Sequence, residues 1–137
     1  MARILAIEDD TDLAELLAFH LRAAGHEVMT TPDAHGGLAA LDAFRPDLVL
    51  LDIMLPDAVG LSVCETIRHT PETAYLPVVF LSGCREPETR ELALQAGAED
   101  FITKPFATAD LVARVEAQLV IAAHFHHRSY RREPVGT

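Results

Sequence analysis

The sequence contains few residues of the kinds that form a disulfide framework or a membrane span. It has no tryptophan and only two cysteines among 137 residues. Cys64 and Cys84 lack the spacing of metal ligands, so reduced thiols in a cytoplasmic protein are the simplest interpretation. No apolar run approaches the roughly 20 residues of a membrane span, and the first residues have a strand-like pattern rather than that of a signal peptide.

Basic residues are also scarce, because 11 lysines and arginines are set against 21 acidic residues and the formal net charge is -10. Residues 1–123 contain 8 basic and 20 acidic side chains, a net charge of -12. A surface this acidic opposes direct binding to nucleic acid or to an anionic membrane. The composition therefore predicts a protein or a cation as the partner, and no direct contact with nucleic acid or a membrane.

The sequence does contain a fivefold alternation of strand-like and helix-like segments. The patterns predict strands at residues 3–7, 27–30, 48–51, 77–81 and 100–103. They predict helices at residues 11–24, 33–44, 60–69, 87–96 and from 108 to beyond 119. Strict alternation indicates right-handed crossovers and an α/β fold, in which helices cover both faces of a parallel sheet. The length is that of one domain.

Polar side chains follow four of the five predicted strands. In chain order they are Glu8, Asp9 and Asp10, then Asp52, Ser82 and Lys104. Parallel strands bring their carboxyl ends to one edge of the sheet, where ligands bind in such folds. Asp52 ends a continuously apolar run, and a carboxylate there costs stability unless the site needs it. Considered alone, Asp52 could equally be a solvated carboxylate at a strand end.

These residue types suit phosphoryl chemistry. Glu8, Asp9 and Asp52 would repel one another if brought together, and a divalent cation such as Mg²⁺ would relieve that repulsion. Lys104 offers a compact positive charge suited to a phosphoryl oxygen, and Ser82 offers a hydroxyl donor. A carboxylate nucleophile, a metal, a lysine and a hydroxyl together can form an acyl phosphate.

Four segments in this order resemble the receiver domain of two-component response regulators, over roughly residues 2–121. They are ILAIEDD at 4–10, DLVLLDIMLP at 47–56, VVFLS at 78–82 and AGAEDFITKPF at 96–106. The resemblance implies a flavodoxin-like (βα)5 fold, a doubly wound five-stranded parallel sheet with strand order 2-1-3-4-5. It also implies a receiver domain at 1–123. The basic, polar composition of the tail at 124–137 predicts a frayed helix end or a linker after that domain. The chain would be a stand-alone receiver or the N-terminal part of a longer protein.

Position by position, the resemblance implies that Asp52 accepts a phosphoryl group from a histidine kinase or a phosphotransfer protein. Glu8 and Asp9 match the acidic pair that holds Mg²⁺, and the backbone carbonyl of Met54 matches the group that completes that site. Such a chain is a cytoplasmic signalling module, which catalyses only its own phosphorylation and dephosphorylation.

The resemblance also implies a conformational switch. Ser82 matches the hydroxyl that moves toward the phosphoryl group, and Lys104 matches the lysine that forms an ion pair with that group. Phe101 matches the aromatic residue whose ring reorients. Pro105 matches a residue that follows a cis peptide bond. The controlled surface would be the fourth helix, fifth strand and fifth helix, through which a homodimer is expected.

Other protein classes lack a needed residue here. A haloacid-dehalogenase-type hydrolase requires a second Asp two positions after the first, where this chain has Met54. A flavodoxin-like nucleotide binder requires a phosphate-binding loop after the first strand, where residues 8–10 would repel phosphate. A receiver that no longer accepts phosphate is disfavoured by the intact acidic, Ser and Lys set. One departure from the family's Leu-Pro-x-x-Asp-Gly loop is Val59, for which we expect altered loop packing rather than lost activity.

Overall fold

A computed structural model describes residues 1–84 and 86–132, the last eight of them for their backbone only. Five strands alternate with five helices in the described chain. The order is β1 (Arg3–Ile7), α1 (Thr11–Ala23), β2 (Glu27–Thr31), α2 (Ala34–Phe44), β3 (Leu48–Asp52), α3 (Gly60–His69), β4 (Val78–Ser82), α4 (Pro87–Gln95), β5 (Asp100–Thr103) and α5 (Thr108–Arg132). The strands form one parallel sheet in the order β2-β1-β3-β4-β5, which confirms the predicted fold.

The sheet is buried on both faces because its central strands are apolar throughout. In β3, Val49 and Leu51 pack into a core with residues of α2 and α3. Leu48 and Leu50 of the same strand pack into a second core with residues of α1 and α5. Alternate side chains of a strand point to opposite faces, so a strand covered on both sides must be a continuous apolar run. This arrangement leaves the ends of the strands as the places for polar side chains.

Acidic N-caps define the starts of two helices. The Asp10 side chain accepts a hydrogen bond from the Leu13 N–H, and the Asp33 side chain accepts one from the Gly36 N–H. Both interactions satisfy N–H groups that have no partner within the helix. Asp33 therefore lies just outside α2 rather than inside the predicted helix at 33–44.

Helix α5 is the longest of the five helices and extends from Thr108 to Arg132. The segment at 124–137, for which the composition predicts a frayed helix end or a linker, is helical in its described part, and residues 133–137 lie outside the described residues. Among the described helices, none has both the length and the apolar character that a membrane crossing requires.

Candidate functional site

The carboxyl edge of the sheet brings Glu8, Asp52 and Lys104 into direct contact. Glu8 directly follows β1, Asp52 is the last residue of β3 and Lys104 directly follows β5. The Lys104 Nζ lies 2.8 Å from Glu8 Oε1 and 3.1 Å from Asp52 Oδ2. The Lys104 backbone N–H donates to the Ser82 carbonyl at 2.7 Å, which extends the β4–β5 pairing to the base of this side chain. One ammonium group thus bridges two carboxylates from different strands.

Asp9 completes a cluster of three acidic residues. One carboxylate oxygen each from Glu8, Asp9 and Asp52 lies within 4.8 Å of the others. Glu8 and Asp52 are buried, at 2% and 6% exposure, whereas Asp9 is exposed to solvent. Hard oxygen donors in this number, with one side open, suit a cation that keeps part of its water shell, as Mg²⁺ does. The cluster could therefore bind a metal ion.

Backbone N–H groups orient both buried carboxylates. The Met54 N–H donates to Asp52 Oδ1 at 3.1 Å, and the Asp10 N–H donates to Glu8 Oε2 at 3.1 Å. In each carboxylate, the other oxygen contacts Lys104. The direction of each carboxylate is therefore set by one backbone contact and one ionic contact.

Burial and charge perturb the titration of this group of residues. Burial raises the pKa of Glu8 to about 7, an effect to which the nearby Asp52 adds and which the hydrogen bonds from Lys104 and Asp10 oppose. Burial opposes the charge on Lys104, but hydrogen bonds to Glu8 and Asp52 outweigh it and raise the Lys104 pKa. The lysine is consequently charged at neutral pH, while Glu8 titrates close to neutrality.

Ser82 is the last residue of β4, the strand next to β3, and Phe101 lies on β5, three residues before Lys104. Ser82 is 2% exposed, and its hydroxyl oxygen accepts a hydrogen bond from the Cys84 N–H at 3.0 Å. Phe101 is also buried and packs into the core formed with α2 and α3. The peptide bond between Lys104 and Pro105 is cis, as the resemblance implied.

Two acidic residues have contacts that the sequence pattern did not predict. Asp10 was grouped with Glu8 and Asp9, but its side chain caps α1 and does not belong to the three-carboxylate cluster. Its position just before a helix start was the available signal, because Asp is a favoured N-cap. Asp57 was not singled out, yet both of its carboxylate oxygens accept hydrogen bonds from the first residues of α2. No local pattern indicates that contact, since the partners are more than twenty residues apart.

Comparisons with known proteins agree with this geometry. The family model for the response regulator receiver domain matches residues 4–116. The chain is 42% identical over 117 residues to the DNA-binding response regulator MtrA of Mycobacterium tuberculosis, covering 85% of the chain and 50% of that protein. It is 37% identical over 119 residues to the DNA-binding dual master transcriptional regulator RpaA of Synechocystis, covering 87% of the chain and 49% of RpaA. A CheY-like receiver domain protein of Methanospirillum hungatei has a similar structure, with a TM-score of 0.84 and 28% identity over 90% of the chain and 98% of that protein.

These relatives correct one prediction. The acidic composition led us to expect no direct contact with nucleic acid, but MtrA and RpaA are both named as DNA-binding. The chain spans about half the length of the curated relatives it matches. The net charge of -12 was summed over residues 1–123 only. The charge of one segment does not determine what the rest of a longer protein binds. The inference from charge to partner was therefore wrong.

Proposed function

Because the chain belongs to the response regulator receiver domain family of two-component signal transduction, we propose that Asp52 accepts the phosphoryl group. The observation that carries this proposal is the position of the Asp52 carboxylate. It is buried at a strand end, 3.1 Å from the Lys104 ammonium and within the Glu8–Asp9–Asp52 cluster. The family is one of signalling proteins, and we assign this receiver to the cytoplasm, where its phosphodonors would be found.

The donor in this proposal is a phosphohistidine on a sensor histidine kinase or a phosphotransfer protein. A carboxylate oxygen of Asp52 attacks the phosphorus, a P–O bond forms, and the P–N bond to the donor histidine breaks. The histidine nitrogen takes the electron pair and is then protonated. Asp52 is suited to this role because the Met54 N–H and Lys104 already fix its orientation. Positioning and charge neutralisation supply most of the catalysis in phosphoryl transfer.

Mg²⁺ fits the donor set of this site. Glu8, Asp9 and Asp52 would hold it with the backbone carbonyl of Met54, and the cation would neutralise charge on the transferred phosphoryl oxygens. Lys104 supplies a second positive charge from the side of β5. After transfer, its ammonium is placed to pair with the new phosphoryl group rather than with the free Asp52 carboxylate.

Ser82 and Phe101 provide the response to phosphorylation in this proposal. The Ser82 hydroxyl, now bound to the Cys84 N–H, would rotate to donate to a phosphoryl oxygen. Asp52 ends β3, Ser82 ends the neighbouring strand β4, and Phe101 lies on the next strand, β5. A change at Ser82 would therefore pass through β4 to β5 and to the surface beside α4. Phosphorylation would shift an existing equilibrium between two arrangements of these side chains.

Labelling of the protein by acetyl phosphate is expected to require Mg²⁺. The three carboxylates repel an incoming phosphoryl group unless a cation neutralises them. Intact-mass measurements should therefore show one added phosphoryl group with Mg²⁺ and none when EDTA replaces it. A control with excess Na⁺ at matched ionic strength separates specific binding from screening. Equal labelling in EDTA would contradict the assignment of this cluster as the cation site.

The phosphoryl group is expected to be long-lived because two nearby side chains are only weak hydrogen-bonding partners for a hydrolytic water. Met54 and Cys84 lie two positions beyond Asp52 and Ser82 and are poor hydrogen-bonding partners. The double variant Met54→Asn, Cys84→Glu should accelerate phosphoryl loss severalfold, because polar groups there can orient a water in line with the phosphorus. The decay of the phosphorylated mass after removal of donor measures this rate. An unchanged rate would mean that other loop residues control hydrolysis.

The hydrolase and nucleotide-binding alternatives gain no support from the site. The hydrolase needs an acid at position 54, where Met54 has a 70% exposed side chain without ionisable groups. The nucleotide binder needs a phosphate-binding loop with cationic side chains or free backbone N–H groups after β1. Glu8 and Asp9 follow β1 here and form part of an acidic cluster.

A further inference from the structure

The loop that joins β3 to α3 is attached to a different helix through Asp57. The Asp57 Oδ1 accepts a hydrogen bond from the Ala34 N–H at 2.8 Å, and its Oδ2 accepts one from the His35 N–H at 2.9 Å. These are the first two residues of α2. The two hydrogen bonds lower the pKa of Asp57, so the side chain is a carboxylate at neutral pH. Because β1 lies between β2 and β3, the contact joins the loops on the two sides of β1.

The same loop lacks the usual attachment at the start of α3. Val59 is the N-cap of α3, and its side chain makes no capping hydrogen bond. An Asp at this position, as in the Leu-Pro-x-x-Asp-Gly pattern, would be a favoured N-cap, whereas Val is among the poorest. In this chain the loop's carboxylate is two residues earlier and binds α2 instead of α3.

The loop also carries the groups that face Asp52. The Met54 N–H donates to Asp52 Oδ1 at 3.1 Å, and Met54 pairs with Val59 across the loop. The Gly60 N–H donates to the Ile53 carbonyl at 2.6 Å, and a Cβ on Gly60 would collide with the Asp52 carbonyl oxygen. The base of the loop is therefore packed directly against the strand end, and its tip is held by Asp57.

We propose that Asp57 is a positioning residue for the cation and phosphoryl site. By fixing the loop tip to α2, it sets the orientation of the Met54 backbone, which contacts Asp52 through its N–H and would offer its carbonyl to Mg²⁺. Val59 gives the loop no side-chain hydrogen bond to α3, so the hydrogen bonds that Asp57 accepts from α2 are the side-chain contacts that fix the loop tip among the described residues. The inference rests on the proposed function, because the site it positions is the proposed Mg²⁺ and phosphoryl site.

Asp57→Ala should weaken Mg²⁺ binding about tenfold, the lower range for loss of a group that orients metal ligands. Binding is measured from backbone amide shifts of residues 8–10 and 52–54 in an NMR titration with MgCl₂. Amide hydrogen exchange of Ala34 and His35 should accelerate together with that of residues 53–59. Asp42→Ala, in the last turn of the same helix, is the matched control and should leave all of these values unchanged.

Two further variants separate positioning from general stability. Asp57→Asn keeps one acceptor for the α2 N–H groups and should recover part of the lost Mg²⁺ affinity. Val59→Ser supplies a neutral cap to α3, and in the Asp57→Ala background it should restore both slow exchange of the loop and Mg²⁺ affinity, without adding a carboxylate. The proposal would be overturned if Asp57→Ala bound Mg²⁺ as tightly as the wild type. It would also be overturned if the double variant recovered slow amide exchange of the loop but not its Mg²⁺ affinity.

Failure of the proposed function would give a different result. If wild-type protein bound Mg²⁺ at residues 8–10 and 52–54 but took no phosphoryl group from acetyl phosphate, the phosphoacceptor assignment would be wrong and the Asp57 comparison would still be measurable. If wild-type protein took the phosphoryl group and Asp57→Ala matched it in Mg²⁺ affinity and loop exchange, only the positioning role would be wrong.

Discussion

Replacement of Asp52 by Asn is expected to abolish phosphorylation of the protein while leaving the fold intact. The amide has nearly the shape of the carboxylate but lacks its nucleophilic charge. Lys104 keeps a partner in Glu8, 2.8 Å away, so the variant leaves no buried charge unpaired. Intact mass after incubation with acetyl phosphate and Mg²⁺ measures the effect, which should be a complete loss of the added mass.

Asp12→Asn is the matched control for this variant. Asp12 is an exposed carboxylate in the first turn of α1, close in sequence to the cluster but outside it. It should be phosphorylated like the wild type. Equal labelling of Asp52→Asn and wild type would show that a different residue is modified.

Glu8→Gln is expected to have opposite effects on the metal-free and the Mg²⁺-bound protein. Burial raises the Glu8 pKa to about 7, so its ionised form destabilises the fold. Each pKa unit corresponds to about 1.4 kcal/mol, and removing the charge should stabilise the metal-free protein by about 1–3 kcal/mol at pH 8. The same change replaces a charged carboxylate ligand with a neutral amide, so Mg²⁺ should stabilise the variant much less than the wild type.

The pH dependence follows from the direction of this pKa shift. Between the unfolded value of 4.5 and the folded value of about 7, folded Glu8 binds more protons than unfolded Glu8. Its contribution to stability is therefore fully present below pH 4.5 and is lost as the pH rises through 7. Since Mg²⁺ binds the ionised form, the stabilisation by Mg²⁺ should grow over the same interval.

Urea unfolding at pH 6 and pH 8, with EDTA or with Mg²⁺, checks both expectations. Wild-type protein should be more stable at pH 6 than at pH 8 in EDTA, and this contribution should disappear in Glu8→Gln. Glu15→Gln, an exposed carboxylate on α1, is the control and should behave as the wild type. If Mg²⁺ stabilised Glu8→Gln as much as it stabilised the wild type, the clustered site would be ruled out.

The fold could be predicted from the sequence because its determinants are local. The apolar run at 48–51 and the strict alternation of elements predict a parallel sheet buried on both faces. The site followed from the same rule, since polar residues at strand ends meet at one edge. The order of the strands is not contained in that alternation, and it came from the resemblance of four segments to a known family.

Other features depend on contacts that the chain makes at long range. The Asp57 contact with α2 joins residues that no periodic pattern connects. The pKa of Glu8 is raised mainly by its burial, which arises only when the strands and helices pack around it. The role of Asp10 was ambiguous because Asp suits both a cation site and a helix N-cap. The charge of the chain was a poor guide to nucleic-acid binding, because relatives of this acidic segment are DNA-binding proteins.

Direct chemical location of the phosphoryl group tests the central claim that Asp52 is the acceptor. Wild-type protein is labelled with acetyl phosphate and Mg²⁺, and the acyl phosphate is then reduced with borohydride, which converts a phosphorylated Asp into homoserine. Peptide mass mapping should find homoserine at position 52 and unchanged Asp at positions 9, 10 and 57. Homoserine at any of those three positions, with Asp52 unchanged, would contradict the proposed function.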